Sequence, residues 1–396
     1  MRKLLTVITL CFISVMSFAV EVQLWEKWQT SLDPAYDAVI AGFEKANPTI
    51  KIKRVHYETE DLRYNFQNAA LAGNPPALVV GPADTVGVYA TMGIIKPINE
   101  VKSLPKTVIT SLVPQGVAQL KIDGELYGVP EQIGNHLTLI YNKKFVKKVP
   151  DTFEEMFKTN YGTQYKIVYN LNEPFWSIGF LGAYGGWVLD AKNNPTLNTP
   201  AMVKALQFMN DLKFKYKAVP AEADYPTADT LFKDGKAAFI INGDWSYKDY
   251  EKVLGANLGL ARVPKLPGGD YYTPSTAVQG IFVAEGLSAN VEAAAAKFIE
   301  YLTRKDIQLI IAQKNNTLPV NIAATNDPSL KKDPMVAASI AQMMEGKPMP
   351  VVPEMRAIWD AIRPSQEEVM ANKTTAAAAA AKMQATAVQK IKEMNQ

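Results

Sequence analysis

Residues 22–57 read VQLWEKWQTSLDPAYDAVIAGFEKANPTIKIKRVHY. The apolar run at 22–25 predicts a buried strand, and the alternating apolar residues at 50–57 predict a second one. Between them, Asp33 as a helix cap and Pro34 in the first turn predict a helix. A strand, a helix and a strand in so short a stretch predict two parallel strands covered by a helix.

The same alternation continues along the chain and restarts once. A short strand is predicted at 77–80 and a hairpin at 121–127, where Asp-Gly separates two apolar runs. A new series of strands and helices begins at 137, and the chain after 291 is predicted to be mainly helical. A chain of 396 residues is long enough for two cores. We therefore predict an α/β protein with two lobes, each a mostly parallel sheet flanked by helices.

The N-terminus has the three parts of a secretory leader. Arg2 and Lys3 are followed by an apolar run to residue 16, and Ser17-Phe18-Ala19 supplies small residues at the cleavage positions. We predict that residues 1–19 are a signal peptide and that the protein acts in the periplasm. The single cysteine, Cys11, lies inside this segment, so the mature chain would have no disulfide or thiolate metal site.

Composition argues against several classes of protein. Hydrophobic residues make up 48% and charged residues 20% of the chain, as in a globular protein, and the net charge of +3 has no basic stripe to bind nucleic acid. The two histidines, His56 and His136, do not stand in a metal-binding or catalytic motif, and there is no phosphate-binding or dinucleotide-binding loop. We predict a protein without cofactor or metal that is not an enzyme.

Aromatic residues stand beside polar residues where predicted strands end. Phe175 follows Glu173 after one strand, and Trp245 follows another strand and a turn. Trp359 lies on a late helix. In open parallel sheets, ligands bind beyond the carboxyl ends of the strands. Aromatic rings beside carboxylates suit a sugar, which has apolar C–H faces and hydroxyl groups that need donors and acceptors.

Four segments resemble one known family. They are residues 137–143 (LTLIYNK), 170–175 (NLNEPF), 241–245 (INGDW) and 353–359 (PEMRAIW). Together they are similar to family 1 extracellular solute-binding proteins of ABC importers, and most similar to the maltose/maltodextrin-binding proteins. The resemblance runs, with gaps, from about residue 22 to the C-terminus. It implies a two-lobed periplasmic-binding-protein fold that closes like a clamshell on an oligosaccharide and delivers it to the permease subunits of an importer.

The resemblance also implies ligand-binding residues. Glu173 would accept hydrogen bonds from sugar hydroxyls, Phe175, Trp245 and Trp359 would stack on sugar rings, and Arg363 would line the same groove. Asp84 corresponds to an aspartate of the first lobe that binds hydroxyls. The complete predicted set is Trp28, Gln29, Asp84, Asn135, Glu173, Phe175, Trp245, Trp359 and Arg363.

The sequence departs from the maltose-binding pattern in the first lobe and at the hinge. Gly81 stands where those proteins have tryptophan, Thr85 where they have arginine, and Asn135 where they have glutamate. Trp28 and Gln29 match the first-strand contacts only approximately, because the segment has at least one additional residue. These departures leave another disaccharide open as the ligand.

The resemblance also sets the predicted boundaries. The N-terminal lobe is predicted to comprise residues 20–133 and 280–330, and the C-terminal lobe residues 137–276 and 334–396. The hinge would consist of residues 134–136, 277–279 and 331–333. We expect a monomer. Two other functions stay open at this point: a carbohydrate-active enzyme, and a binder of another small polar solute such as a peptide or polyamine.

Overall fold

The computed structural model describes residues 19–28 and 32–394. Of the predicted leader, only Ala19 is among them, and Gln29 also lies outside the described residues. Within the described ranges, no helix is long and apolar enough to cross a bilayer.

The described residues form twelve strands. In chain order these are β1 Val20–Glu26, β2 Ile50–His56, β3 Leu78–Pro82, β4 Lys121–Ile122, β5 Glu125–Leu126, β6 Val129–Gly134, β7 Leu137–Asn142, β8 Tyr165–Val168, β9 Ala237–Gly243, β10 Leu258–Ala261, β11 Ser275–Val283 and β12 Lys347–Pro348. β4 and β5 pair antiparallel through Asp123 and Gly124, so the predicted hairpin is confirmed.

Seventeen α-helices surround the strands in the described part of the chain. They are α1 Asp33–Ala46, α2 Thr59–Leu71, α3 Val86–Thr91, α4 Lys106–Thr110, α5 Pro114–Ala118, α6 Phe153–Lys158, α7 Pro174–Ala183, α8 Pro200–Phe214, α9 Tyr225–Lys233, α10 Tyr247–Leu254, α11 Ala289–Leu302, α12 Lys305–Asn315, α13 Ile322–Thr325, α14 Pro328–Lys331, α15 Pro334–Met344, α16 Glu354–Met370 and α17 Ala376–Met394.

The first lobe is built on a six-stranded sheet. Its strand order is β12-β11-β3-β1-β2, and β6 also pairs with β11. β1 runs parallel to β2 and β3, as the opening sequence predicts. Val22 and Leu24 alternate with exposed residues on β1 and are fully buried. Burial of each such side chain contributes about 1.5–3 kcal/mol, which holds the strand against its covering helices.

The second lobe is built on a four-stranded sheet in the order β10-β7-β9-β8. β9 is buried along its whole length, as expected for a central strand covered on both faces. Helices α7, α8, α16 and α17 pack together beside it and share one apolar core. The sheet places the end of β9 next to the start of β7, because Gly243 pairs with Leu137.

Both sheets are mixed, whereas the sequence predicts mostly parallel ones. In the second lobe, β7 is antiparallel to β9 and to β10, and only β8 and β9 are parallel. In the first lobe, β11 is antiparallel to β3 and β6. The reason is the connection between the lobes. β6 leads through two residues into β7, so β7 starts at the edge where β9 ends and runs in the opposite direction.

This connection has an unusual backbone. Gly134 has φ 127° and Asn135 has φ 41°. A Cβ atom on Gly134 would lie 2.4 Å from Asp244 Oδ2, so a side chain fits neither the conformation nor the space. Gly134 also pairs with Ala277 of β11, which brings the two strands that leave the first lobe side by side.

Candidate functional site

The end of β9 sets the position of Trp245. After Gly243, residues Asp244, Trp245 and Ser246 form a single 3₁₀ turn that leads into α10. A Cβ atom on Gly243 would lie 2.1 Å from the Trp245 ring, so the ring lies directly against the backbone of the strand end. Glycine at this position allows the indole to fold back across the end of the sheet.

An aromatic cluster forms around this ring. The ring centroids of Phe175 and Trp176 lie 6.3 and 6.2 Å from that of Trp245. Trp245 Nε1 donates a hydrogen bond to the Tyr225 hydroxyl at 3.0 Å. Trp176 is buried and donates to the carbonyl of Ile241, so it supports the cluster. Phe175, Tyr225 and Trp245 are only partly buried, so part of each ring remains exposed to solvent.

Glu173 and Arg363 form an ion pair at the edge of the cluster. Arg363 Nη1 lies 2.6 Å from Glu173 Oε2, and Nη2 lies 3.3 Å from Oε1, which makes the pair bidentate. Glu173 also caps α7 by accepting from the amide of Phe175. Both side chains keep some exposure to solvent. The structure thus brings together Glu173, Phe175, Trp245 and Arg363, which come from distant parts of the sequence.

Trp359 and Asp84 connect the two lobes. Trp359 on α16 belongs to the second lobe, and its Nε1 donates to Asp84 Oδ2 at 3.3 Å. Asp84 lies in the turn after β3 of the first lobe and also accepts a hydrogen bond from Arg63 at 3.3 Å. Within the described residues, Asp84 Oδ1 has no hydrogen-bond partner. Sequence reasoning placed these two residues at one site but did not find Arg63.

A second buried carboxylate lies beside the connection between β6 and β7. Asp244 Oδ2 accepts hydrogen bonds from the Asn135 amide at 3.1 Å and from the Gln132 side chain at 3.4 Å. Burial raises the pKa of Asp244 to about 7. Burial also lowers the pKa of Lys27, although the charges of Asp84 and Asp244 act in the opposite direction. Asn135 therefore contributes its backbone to this arrangement, and neither Asp244 nor Lys27 was singled out from the sequence.

Trp28 lies in the core of the first lobe. It is 5% exposed and stacks on Tyr36, with ring centroids 3.6 Å apart and nearly parallel planes. Tyr36 in turn donates to the buried Glu131, whose pKa burial raises to about 7. Trp28 therefore has little ring surface exposed to solvent, in contrast to Trp245.

The arrangement offers recognition chemistry. Two partly exposed aromatic rings, the bidentate Glu173–Arg363 pair and the Asp84 carboxylate supply flat apolar surfaces beside strong acceptors and donors. His136 is fully buried, and burial lowers its pKa to about 4, so its ring is held neutral. In the described ranges, no three His, Cys, Asp or Glu side chains are grouped to hold a metal ion.

Known proteins match this chain over most of its length. Residues 38–338 match the family described as bacterial extracellular solute-binding protein. The maltotriose-binding protein of Pyrococcus abyssi is 26% identical over 361 residues, which are 88% of this chain and 77% of that protein. The galactooligosaccharide-binding protein of Bacillus subtilis is 27% identical over 86% of this chain and 82% of that protein.

A solved structure shares the two-lobed architecture. The maltose/maltodextrin-binding domain from Bdellovibrio bacteriovorus bound to maltotriose superposes with a TM-score of 0.88 at 36% sequence identity. The match covers 94% of this chain and 100% of that domain. The predicted two-lobed fold and the predicted family are both confirmed. The chain belongs to the bacterial extracellular solute-binding proteins, which are binding proteins rather than enzymes.

Proposed function

We propose that the protein binds a maltodextrin between its two lobes, outside the cytoplasm, and delivers it to the permease subunits of an ABC importer. The observation that carries this proposal is the cluster of Phe175, Trp245 and the Glu173–Arg363 pair on one lobe. It is supported by similarity to proteins named for binding maltotriose and maltodextrin.

In this proposal each lobe supplies part of the site. Phe175, Trp245 and Trp359 stack on sugar rings, while Glu173, Arg363 and Asp84 bond to hydroxyl groups. Of the other predicted contacts, Asn135 lies at the proposed hinge between the lobes and Trp28 packs on Tyr36 in the first lobe. Gln29 remains a candidate contact. A ligand that touches both lobes favours the conformation in which they meet, because only contacts made in that state shift the equilibrium toward it.

The proposed lobes have the boundaries given by the sequence. Residues 20–133 and 280–330 form one, residues 137–276 and 334–396 the other, and residues 134–136, 277–279 and 331–333 the hinge. The paired residues 275–276 and 347–348 depart from this division, because they lie at the edge of the first-lobe sheet. We further propose that residues 1–19 are removed on export to the periplasm and that the protein acts as a monomer without nucleic acid.

A galactooligosaccharide is the second candidate ligand. A relative named for that class is as similar in sequence as the maltotriose-binding one. In addition, Gly81, Thr85 and Asn135 stand where maltose-binding proteins have tryptophan, arginine and glutamate. These changes lie in the first lobe and at the hinge, so they would alter specificity while leaving the aromatic cluster of the second lobe in place.

A thermal-shift screen of the purified protein tests the proposal. The panel is maltose, maltotriose, cellobiose, galactobiose and, as a non-sugar control, spermidine. A ligand at a hundred times its Kd stabilises the folded state by about 2.7 kcal/mol, which raises the Tm by several degrees. We expect this rise with maltotriose. A rise with galactobiose alone would transfer the assignment to the second candidate, and no rise with any saccharide would refute sugar binding.

A further inference from the structure

Exposed lysines collect at the edge of the second-lobe sheet that lies opposite the aromatic cluster. Gly243 lies at the cluster edge and pairs with the start of β7. β7 ends at the opposite edge with Asn142, which pairs with Leu258, the first residue of β10. Five exposed lysines follow in the turn after β7 and in α6, and we call them the lysine patch: Lys143, Lys144, Lys147, Lys148 and Lys158.

A groove of about 470 Å³ lies within the lysine patch, and Lys147, Lys148 and Lys158 line it. Phe145 and Val149 line it as well, and both are only partly buried, so apolar surface lies beside the positive charges. Among the described residues, no buried side-chain polar atom of the groove lacks a hydrogen-bond partner. Small-ligand sites fix their ligand with a few precisely placed polar groups. The groove therefore suits a partner with many negative charges better than a single small ligand.

Ion pairs do not neutralise the lysine patch. In the part of the chain that the structure describes, no carboxylate oxygen lies within 4.0 Å of any of its five Nζ atoms. Residues 143–158 contain these five lysines and three acidic residues, Asp151, Glu154 and Glu155. Asp151 accepts from the Tyr271 hydroxyl at 2.6 Å, and Glu155 accepts from the Asp151 amide at 3.0 Å. The patch therefore presents a net positive charge to solvent.

We propose that the lysine patch holds the protein against a membrane surface that contains anionic phospholipids, with the groove facing the bilayer. Lysine ammonium groups are point charges on flexible stems, and they attract lipid phosphates without needing a fixed geometry. Phe145 contacts the boundary between headgroups and acyl chains, where an apolar ring beside basic residues is favoured. The aromatic cluster lies at the opposite edge of the sheet, so it stays open to a ligand. The inference goes beyond the proposed function and does not depend on it.

Co-sedimentation of the purified protein with phospholipid vesicles tests this inference. Vesicles of equal parts phosphatidylglycerol and phosphatidylcholine should bind the protein, and vesicles of phosphatidylcholine alone should not. Each lysine near an anionic surface raises the affinity about fivefold, so Lys147→Gln/Lys148→Gln should lower the partition coefficient about twenty-five-fold. Lys147→Arg/Lys148→Arg keeps both charges and should bind as the wild type does. Lys102→Gln/Lys106→Gln is the matched control, because it removes two exposed lysines of the first lobe and should stay near the wild-type value.

The two lipid compositions and the two glutamine variants decide the outcome. Binding to the anionic vesicles should fall as salt is raised, because salt screens exposed charges. Equal binding to both kinds of vesicle, or binding to neither, would refute the inference. An equal loss in the two glutamine variants would refute it as well, since overall charge rather than the patch would then control binding. Binding to polyglutamate without binding to anionic vesicles would assign the patch to an acidic protein partner and overturn the membrane assignment.

Discussion

Trp245 is the residue whose surroundings most directly suit a stacking role. Tyr225 holds its Nε1, Gly243 lies under its ring, and Phe175 stands beside it, yet the ring remains partly exposed. An aromatic side chain fixed in this way loses little freedom when a ligand binds, which is why such residues carry much of the energy at binding sites.

Trp245→Ala should weaken maltotriose binding by at least about 1 kcal/mol, or roughly fivefold, because the sugar loses its stacking surface. Titration calorimetry measures the change, and the variant should keep the circular dichroism spectrum of the wild type. Trp187→Ala is the control, since it removes a partly buried tryptophan of the same lobe outside the cluster and should leave the Kd unchanged. Equal affinities of wild type and Trp245→Ala would make Trp245 a packing residue.

Asp244 gives the stability a pH dependence of predictable sign. Its pKa rises from an ordinary 3.8 to about 7 because it is buried. An acid with a raised pKa holds its proton more tightly in the folded state, so between about pH 4 and 7 its contribution to stability falls as pH rises. The groups around it are Lys27 and His136, and His136 has the opposite effect, because burial lowers its pKa from 6.5 to about 4.

Asp244→Asn should therefore gain stability relative to the wild type as pH increases. The amide has no charge to desolvate, and its oxygen can still accept from Asn135. The difference in unfolding free energy should change in favour of the variant by about 1.4 kcal/mol per pH unit from pH 5 to 7. Urea unfolding of both proteins across this range measures it. Glu131 and His136 titrate in both proteins and cancel, so a difference that stays constant would mean that Asp244 is ionised throughout.

The sequence pattern identifies site residues that directly follow a strand. It does not identify a residue such as Arg63, which reaches Asp84 from a separate helix. Glu173, Phe175 and Trp245 are adjacent because parallel β8 and β9 end at the same edge of one sheet, which the pattern of strands predicts. Arg63 stands on an amphipathic helix among charged neighbours and is indistinguishable in sequence from a surface arginine. Its burial against Asp84 depends on how two separate elements pack, and no local pattern encodes that.

Among the elements, β9 and its turn are the most constrained part of the site. The strand is fully buried, and it ends in a glycine whose missing side chain makes room for the Trp245 ring. The backbone of Gly243 has φ −88°, a value open to any residue, so steric contact alone requires glycine there. A side chain at Gly243 would therefore act on the Trp245 ring by steric contact and would not strain the backbone.

Gly243→Ala should displace the Trp245 ring and weaken maltotriose binding about as much as Trp245→Ala does. The added methyl would otherwise lie 2.1 Å from the ring. Trp187→Ala again serves as the control, because it changes a residue of the same lobe outside the cluster and should keep the wild-type affinity. Titration of both variants measures the effect. Wild-type affinity in Gly243→Ala would show that the ring can move without loss of binding.

The strands that cross between the lobes explain why sheet direction was predicted incorrectly. Strand-helix alternation indicates parallel pairing, and it holds for β1, β2 and β3, which are joined by helices. β6 and β7 follow each other with only Asn135 and His136 between them, and β7 therefore enters its sheet against β9. Because β6 and β7 belong to different sheets, periodicity along the chain cannot indicate their directions.

At the scale of the whole molecule, the two lobes meet through a few polar contacts. Trp359 bonds to Asp84, and Arg356 bonds to Glu60 and to the Tyr64 hydroxyl. Arg356 and Glu60 are partly exposed, and such ion pairs contribute at most about 1 kcal/mol. The Arg356–Glu60 pair therefore adds little to the closed state, and we expect a ligand that touches both lobes to shift the equilibrium toward it.

Calorimetric titration of the purified protein with maltotriose tests the central claim most directly. We predict saturable binding of one maltotriose per chain with a Kd in the micromolar range or tighter, which corresponds to about −8 kcal/mol or better. Small-angle X-ray scattering of the same samples should show a smaller radius of gyration with the sugar than without it. Absence of binding heat at millimolar maltotriose, together with an unchanged radius, would contradict maltodextrin binding between the lobes.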